Sequence, residues 1–275
     1  MLVIRGQEGH RWRLAWIAVV VATLLALCPG TGRGQAQVPA APFTGALPFM
    51  AGEALVYHVR LGKLASGSST MWIDGPVDVR GEPTLHLRSH TEVKVGPFGG
   101  SGYTESWLDA DRMASLRFEK EERRLLSRHR ETVDVFPDEK RWTGADGRAG
   151  TSPTDAPLDE LSFIYFLRTL PLAPDTALSF SRHFEAGRNP VVVTIVGRET
   201  ITVPAGAFAT VVVEMRVKDP RHYRGEGLIR IHLTDDACRI PIRIESTIPA
   251  VGRTVLTLER VVHPEVHCTE HGKRA

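Results

Sequence analysis

The feature that most constrains the fold is the stretch 157–171, PLDELSFIYFLRTLP, because its apolar residues follow helical spacing. Asp159 and Glu160 place acidic side chains where the free N–H groups of a helix N-terminus lie. Apolar side chains cover almost the whole circumference, which is typical of a buried helix. We therefore predict one central buried helix. Its apolar face includes Leu161, Ile164 and Leu167.

The segments on both sides of this stretch alternate apolar and polar residues, with the period of two that indicates half-buried strands. The predicted strands cover 53–61, 64–74, 84–95, 103–108, 114–123 and 128–136 before the helix, and 177–184, 191–196, 208–218, 227–234, 240–246 and 252–261 after it. This order does not alternate strands with helices, as repeated βαβ units would. It predicts a mainly β fold, a curled antiparallel meander that forms a barrel or half-barrel of about twelve strands, with the helix on its concave side.

The first 36 residues have the three regions of a secretory signal peptide. Arginines precede an apolar run at 14–27, and small residues permit cleavage after Ala36. The run is shorter than the roughly 20 apolar residues of a membrane span. A lipoprotein signal with an acylated Cys28 is the alternative, although the bulky Leu27 stands where such signals have a small residue. We predict export to the periplasm, with outer-membrane association if Cys28 is acylated.

Removal of residues 1–36 changes the charge of the chain. Four arginines and one glutamate are lost, so that the 34 basic and 32 acidic residues become 30 and 31. No basic stripe with interleaved aromatic side chains remains, which argues against nucleic acid as a partner. The mature part then consists of a flexible lead-in at 37–48, a single β-barrel-like domain at 49–262 and a tail at 263–275.

Three connecting or charged segments have simple interpretations. The segment 96–102, GPFGGSG, carries Phe98 and is either a lip over a binding cleft or a long hairpin connection, of which we favour the second. Charges of both signs at 119–131 predict a solvated ribbon with cross-strand ion pairs rather than a binding patch. The Gly-, Ala- and Asp-rich segment 143–157 is predicted to be a surface linker.

The chain offers few candidates for catalysis or metal binding. It contains neither a Gly-x-Ser-x-Gly elbow nor a glycine-rich phosphate loop. Side chains that suit zinc or copper occur together at His263, His267, Cys268 and His271. They follow the last strand, where a disordered tail or a disulfide between Cys238 and Cys268 is the alternative. We predict no enzyme activity, no cofactor and no metal site.

The adjacent carboxylates Asp235 and Asp236 are unsuited to act together, because neighbouring residues of a strand point to opposite faces. They instead predict a tight turn in which one carboxylate pairs with Arg239.

Several short sequence motifs occur one after another along most of the mature chain. They are Pro48-Phe49, Gly52-Glu53-Ala54-Leu55-Val56-Tyr57, the GKLASG segment 62–67, Asp159-Glu160-Leu161-Ser162 with Tyr165, Leu167 and Arg168, the segments 199–201 and 203–208, and Asp235-Asp236 with Arg239-Ile240-Pro241-Ile242 and Gly252. In this order and spacing they resemble the domain of unknown function 3108 family of secreted bacterial proteins. The resemblance implies an exported, mostly antiparallel β protein of the Gram-negative envelope, without catalytic residues to carry over. The implied curled sheet around a helix is similar to the half-barrel of periplasmic lipoprotein carriers.

Two functions remain open for such a fold. In the first, a lipid or other amphiphile lies between the sheet and the helix, where the small residues around Gly67 leave space. The predicted ligand-binding residues are Gly67, Phe98, Leu161, Ile164 and Tyr165. In the alternative, the core is filled and the protein is a periplasmic scaffold or interaction module for an envelope protein partner.

Overall fold

The computed structural model describes residues 36–37, 46–62, 65–95, 98–124, 127–218, 226–248 and 252–262. Within these residues the protein is mainly β, with fifteen strands in one sheet and one α-helix. Every neighbouring pair of strands is antiparallel except one, and the sheet does not close on itself. The predicted fold class is therefore confirmed, although the sheet has more strands than the about twelve that the sequence indicates.

The elements follow one another in two groups of strands around the helix. The first group is β1 (Ala36–Gln37), β2 (Ala54–Leu61), β3 (Ala65–Val79), β4 (Glu82–Val95), β5 (Phe98–Asp109), β6 (Ala114–Arg124), β7 (Ser127–Phe136), β8 (Arg141–Gly144) and β9 (Ala149–Thr151). The helix is α1 (Glu160–Leu167). The second group is β10 (Ala177–Phe180), β11 (Val191–Val203), β12 (Gly206–Lys218), β13 (Glu226–Thr234), β14 (Pro241–Ile248) and β15 (Gly252–Val262), with a 3₁₀ turn at Ala186–Arg188.

The two groups join in the middle of the sheet. The spatial order is β1-β10-β11-β12-β13-β14-β15-β2-β3-β4-β5-β6-β7-β8-β9. The last strand, β15, pairs with β2 so that Val262 lies opposite Ala54. The helix connects the two outer parts of the sheet, since it lies between β9 and β10 in the chain.

The strands form for the reason that their alternation predicts. In β2 the side chains of Leu55, Tyr57 and Val59 are fully buried, while those between them are not. Burying an apolar side chain of this size stabilises the fold by about 1.5–3 kcal/mol relative to leaving it exposed. Because the period is two, one face of each strand meets the core and the other meets solvent.

The helix is shorter than the stretch 157–171, because its N-terminus is fixed at Asp159. The Asp159 carboxylate accepts hydrogen bonds from the N–H groups of Leu161 and Ser162, both at 2.9 Å, and the Ser162 hydroxyl accepts one from the Asp159 N–H. This reciprocal arrangement is a capping box. Leu158, in contrast, is extended and bridges His183.

The core contains side chains from the helix and from both groups of strands. Leu161 and Leu167 are buried in it, as predicted, whereas Ile164 is only partly buried at its margin. A smaller apolar cluster lies beneath β6–β8. It consists of Phe118, Val133, Val135, Trp142 and Phe184.

Two segments predicted as connections contain strands. The linker 143–157 includes β9, which pairs with β8 through Arg141 and Thr151. The loop 96–102 includes the start of β5, where Phe98 pairs with Val95. The linker prediction was wrong at β9, because a strand of three residues shows no readable alternation. The segment 96–102 is a hairpin connection, as favoured, but a shorter one, because the glycine-rich start of β5 also shows no alternation.

Candidate functional site

The C-terminal end of α1 is held by a buried ion pair. Arg168 donates hydrogen bonds to both carboxylate oxygens of Glu53, at 2.6 and 2.8 Å, and both side chains are fully buried. The guanidinium also donates to the backbone carbonyls of Pro48 and Cys238, at 2.8–3.1 Å. The pair therefore ties together the segment before β2, the helix and the turn before β14. Its donors point at protein acceptors, so its role is structural.

A second polar cluster fixes the N-terminal end of α1. The Ser106 hydroxyl of β5 donates to Asp159 at 2.5 Å, and the hydroxyls of Ser115 and Ser162 are 2.8 Å apart. Burial raises the pKa of the Asp159 carboxyl, against the hydrogen bonds that favour its charged form. These four side chains are buried away from solvent. They anchor the helix to β5 and β6, and the cluster is closed to a substrate.

Glu160 adds an ion-paired group beside this anchor. Lys120 of β6 and Arg188 contact its carboxylate at 2.9 and 2.8 Å. Burial alone would raise the pKa of Glu160, but the two cations outweigh it and lower the pKa below its usual range. The polar residues at the start of the helix are thus used in attaching it to the sheet.

The structure brings three of the five predicted ligand-binding residues together. Leu161, Ile164 and Tyr165 share the helix and its surroundings in the core. Gly67 pairs with Val93 of β4, six residues beyond Leu87. Ser106, which contacts the helix, pairs with that same Leu87. At about 3.3 Å per residue, Gly67 lies roughly 20 Å along the sheet from this contact.

Phe98 pairs at the same end of β4 as Gly67, and its side chain lies outside the described residues. The backbone of Phe98 therefore lies away from the point where Ser106 contacts the helix.

The space expected beside Gly67 is occupied. A Cβ atom on Gly67 would lie 1.8 Å from the carbonyl oxygen of Glu92 and 2.8 Å from the Cα of Val93. The glycine is explained by the close approach of β3 to the backbone of β4. The small residues of β3 therefore mark strand packing at this point.

One polar atom near the helix has no hydrogen bond within the described part of the chain: the hydroxyl of Tyr165. The side chain is buried, and its ring contacts Phe49 edge-on with centroids 5.1 Å apart. Burial raises the pKa of Tyr165, so its hydroxyl stays protonated.

A polar cleft of about 410 Å³ lies across β4–β7, on the face of the sheet that is turned away from the helix. Since Ser106 of β5 points towards the helix, the alternating residues Tyr103 and Glu105 point away from it. Across the four strands, His90, Tyr103, Glu121 and Arg130 stand opposite one another. We call this surface the outer cleft.

Glu119 and Glu121 of the outer cleft are paired with arginines. The Glu121 carboxylate accepts hydrogen bonds from Arg128 at 2.7 Å and Arg123 at 2.5 Å, and these bonds lower the pKa of Glu121 to about 2. Glu119 accepts one from Arg130 at 3.1 Å. Cross-strand pairing of the charged ribbon is therefore confirmed.

Tyr103 and His90 line the outer cleft with aromatic rings, and Trp72 lies beside them. The Tyr103 ring lies 5.4 Å from that of His90 and 6.1 Å from that of Trp72. The guanidinium of Arg88 lies over both Trp72, at 4.7 Å, and Tyr103, at 5.6 Å, and it donates to the Tyr103 hydroxyl and to Glu105. Tyr103 and Trp72 are half-buried, so part of each ring borders solvent.

Sequence reasoning missed the outer cleft. The available signal was the run of polar and aromatic residues at every second position of β4 and β5, from which alternation predicts only half-buried strands. Only the register places these side chains in one row.

The turn between β13 and β14 forms as predicted, but its acidic side chains have other hydrogen-bond partners than expected. Asp236 accepts hydrogen bonds from the N–H groups of Cys238 and Arg239, which confirms the tight turn. Asp235 pairs with Arg198 at 2.7 Å, whereas the Arg239 guanidinium donates to the Leu170 carbonyl. The predicted side-chain pair with Arg239 was wrong, because β11 brings a nearer arginine.

No group of three or more His, Cys, Asp or Glu residues suited to a metal ion occurs in the described ranges. The candidate ligands His263, His267, Cys268 and His271 lie outside them. Cys238 is disulfide-bonded. In the part of the chain that the structure describes, no helix is long and apolar enough to cross a membrane.

Comparisons place the fold among known structures. The beta-barrel-like protein of domain of unknown function DUF1849 from Brucella abortus matches with a TM-score of 0.52 and 12% identity, covering 79% of this chain and 99% of that one. A candidate lipoprotein from Parabacteroides distasonis matches with a TM-score of 0.34 and 10% identity over 78% and 98%. A protein with YmcC-like fold from Bacteroides fragilis gives 0.31 and 14% over 81% and 100%.

No curated protein matches the chain. The sequence model of the family described as "Protein of unknown function (DUF3108)" matches residues 56–259. Because this match spans most of the sequence, the chain belongs to the DUF3108 family.

Proposed function

We propose that this chain is a non-enzymatic exported protein of the bacterial envelope that binds its ligand in the outer cleft. The cleft carries the proposal, because its volume of about 410 Å³ falls within the range of small-molecule sites, about 300–1,000 Å³. Export is supported by the signal-peptide pattern of residues 1–36.

The interior is less suited to this task than the outer cleft. The helix buries Leu161, Phe163 and Phe166 against the sheet. Its ends are held by the Glu53–Arg168 pair and by the Asp159 cap. A ligand entering beside Gly67 would meet the backbone of β4. This arrangement favours a binding module with a filled core.

Binding is favoured over catalysis by the chemistry of the lining. Among the described residues that line the cleft, no hydroxyl is hydrogen-bonded to a histidine, the arrangement that activates a nucleophile. The Tyr103 hydroxyl accepts a hydrogen bond from Arg88 instead. The residues offer hydrogen bonds and ring surfaces, which are suited to recognition.

The proposal is tested by carbodiimide labelling of carboxylates in the mature protein. We expect the small-molecule fraction of a periplasmic extract to protect Glu119 and Glu121 from labelling. Glu214 of β12 is the matched control, because it is paired with Arg230 on a strand outside the cleft. Unchanged labelling of Glu119 and Glu121, or equal protection of Glu214, would contradict the proposal.

An amphiphile between sheet and helix is the second candidate. The Tyr165 hydroxyl, which has no hydrogen bond to any residue that the structure describes, and the partial exposure of Ile164 favour it, since a ligand could supply a polar group and cover an apolar one. Native mass spectrometry of protein purified from its own envelope, with organic extraction, tests this candidate. A stoichiometric lipid supports it, and a lipid-free protein rejects it.

A further inference from the structure

We infer that the ligand of the outer cleft is an uncharged, hydroxyl-rich molecule, namely an oligosaccharide. This inference rests on the proposed function and names the class of ligand. It follows from the way in which charge, aromatic surface and shape are combined in the cleft.

Three of the four carboxylates that line the cleft in the described part of the chain, those of Glu105, Glu119 and Glu121, are paired with arginines, and the fourth, of Glu92, lies 3.5 Å from the His90 ring nitrogen. Glu121 is bound by Arg123 and Arg128, and Glu119 is bound by Arg130. An anionic ligand that approaches these arginines would also meet the carboxylates paired with them, and a cationic ligand that approaches the carboxylates would meet the arginines. Attraction to one group of each pair is therefore offset by repulsion from the other.

An uncharged polyol avoids this repulsion. Each carboxylate has about four lone-pair positions and each guanidinium has five N–H donors, so a paired group retains further hydrogen-bonding capacity. Arg123, Arg128 and Arg130 have side chains that are 60%, 57% and 62% exposed, which leaves these donors accessible. Vicinal hydroxyls both donate and accept, and can use both kinds of group.

The aromatic residues supply the remaining part of a sugar site. Tyr103 stands in the same cross-strand row as His90 and Glu121, so a ring borders the hydrogen-bonding groups. A sugar ring presents C–H groups on its faces and hydroxyls at its edge, and an amphipathic aromatic side chain can contact the former. An inorganic phosphate has no C–H groups and does not use such a surface.

The shape agrees with a chain of rings. The cleft is open to solvent and lies across four strands, from β4 to β7. An open cleft lets a segment of a longer oligosaccharide enter from the side, whereas an enclosed cavity would require a single small molecule.

Isothermal titration of the mature protein with maltotriose, chitotriose and mannotriose tests the inference. We expect at least one trisaccharide to bind. Its affinity should not change between about 0.05 and about 0.5 M NaCl, because salt screens only charged contacts. Tyr103→Ala should weaken binding by at least about tenfold. Glu121→Gln, which keeps the size of the side chain and changes one half-buried hydrogen-bonding partner, should also weaken binding. Glu214→Gln, outside the cleft, should leave binding unchanged.

The opposite results are equally clear. No binding of any trisaccharide up to about 10 mM, or saturable binding of spermidine or inorganic phosphate at the cleft, would overturn the inference. If the periplasmic extract still protects Glu119 and Glu121 in that case, the cleft is a binding site and only the ligand class is wrong. If the extract gives no protection, the proposed function fails as well.

Discussion

Arg168 shows how one residue can join distant parts of a chain. Its guanidinium reaches Glu53, Pro48 and Cys238, which belong to segments on both sides of the helix. A buried ion pair costs desolvation, but removal of one partner leaves an uncompensated charge. Arg168 and Glu53 therefore matter most as a pair.

Arg168→Met should lower the free energy of unfolding by about 3–5 kcal/mol, because Glu53 would stay buried without its partner. Urea denaturation measures the change. Arg230→Met is the matched control, since Arg230 pairs with Glu214 at the surface, and it should cost about 0–1 kcal/mol. Equal effects of the two substitutions would show that the buried pair is not a structural anchor.

Gly67 gives a second test at the residue scale. Gly67→Ala should destabilise the protein by about 1–3 kcal/mol or more, because the added Cβ meets the backbone oxygen of Glu92. Gly102→Ala in β5 is the control: nothing lies within 4 Å of its Cβ, so the loss of backbone entropy in the unfolded chain should stabilise by about 0.4–1 kcal/mol. The midpoint temperatures of thermal unfolding of the two variants, each compared with that of the unsubstituted protein, test both expectations. A neutral Gly67→Ala would mean that β3 has room for a side chain.

At the scale of elements, the helix should be a main source of stability. Leu167 is fully buried in the core, so Leu167→Ala should cost about 2–5 kcal/mol. Ile164→Ala should cost clearly less, because Ile164 lies at the margin. The urea concentrations at the unfolding midpoints of the two variants test this order of stability. The reverse order would place Ile164 on the principal buried face.

The sequence predicted elements well where a pattern was long. The helix was found because Asp159, Leu161 and Leu167 combine an N-terminal signal with apolar spacing. β9 was missed because three residues carry no period. The extension of β11 to Val203 was missed because Gly197, Arg198, Glu199 and Thr200 interrupt the apolar alternation between Ile195 and Ile201. Short or interrupted strands depend on their neighbours in the sheet, which a single segment does not show.

At the scale of the whole molecule, the order of the strands was beyond prediction. Alternation tells which residues face the core, but it does not say that β15 pairs with β2. For the same reason the outer cleft could not be assembled from the sequence. His90, Tyr103 and Glu121 become neighbours only through the register of three strands. The residues at the two buried ends of the helix, in contrast, belong to the sequence motifs on which the family resemblance rests.

The β15–β2 pair makes a circular permutant possible. Since Val262 lies opposite Ala54, the ends of the domain are close, and a flexible Gly/Ser linker can join Val262 to Ala46. Starting at Ala46 retains Pro48 and Glu53, the partners of Arg168. New termini in the exposed turn between β8 and β9 leave the other strand pairs intact, except for the β1–β10 pair, which is lost with the residues before Ala46.

We expect this permutant to fold with one cooperative transition in urea and with a free energy of unfolding within about 1–2 kcal/mol of the unpermuted chain 46–262, which lacks the same residues and therefore also lacks β1 and the other two cysteines. The reason is that β15 and β2 would become an ordinary hairpin, while the core and the helix anchors are unchanged. A permutant opened inside β3 is the control and should not fold, because it cuts a central strand that pairs with both β2 and β4. Failure of the first permutant, or two separate transitions, would mean that the two groups of strands do not form one sheet through β15 and β2.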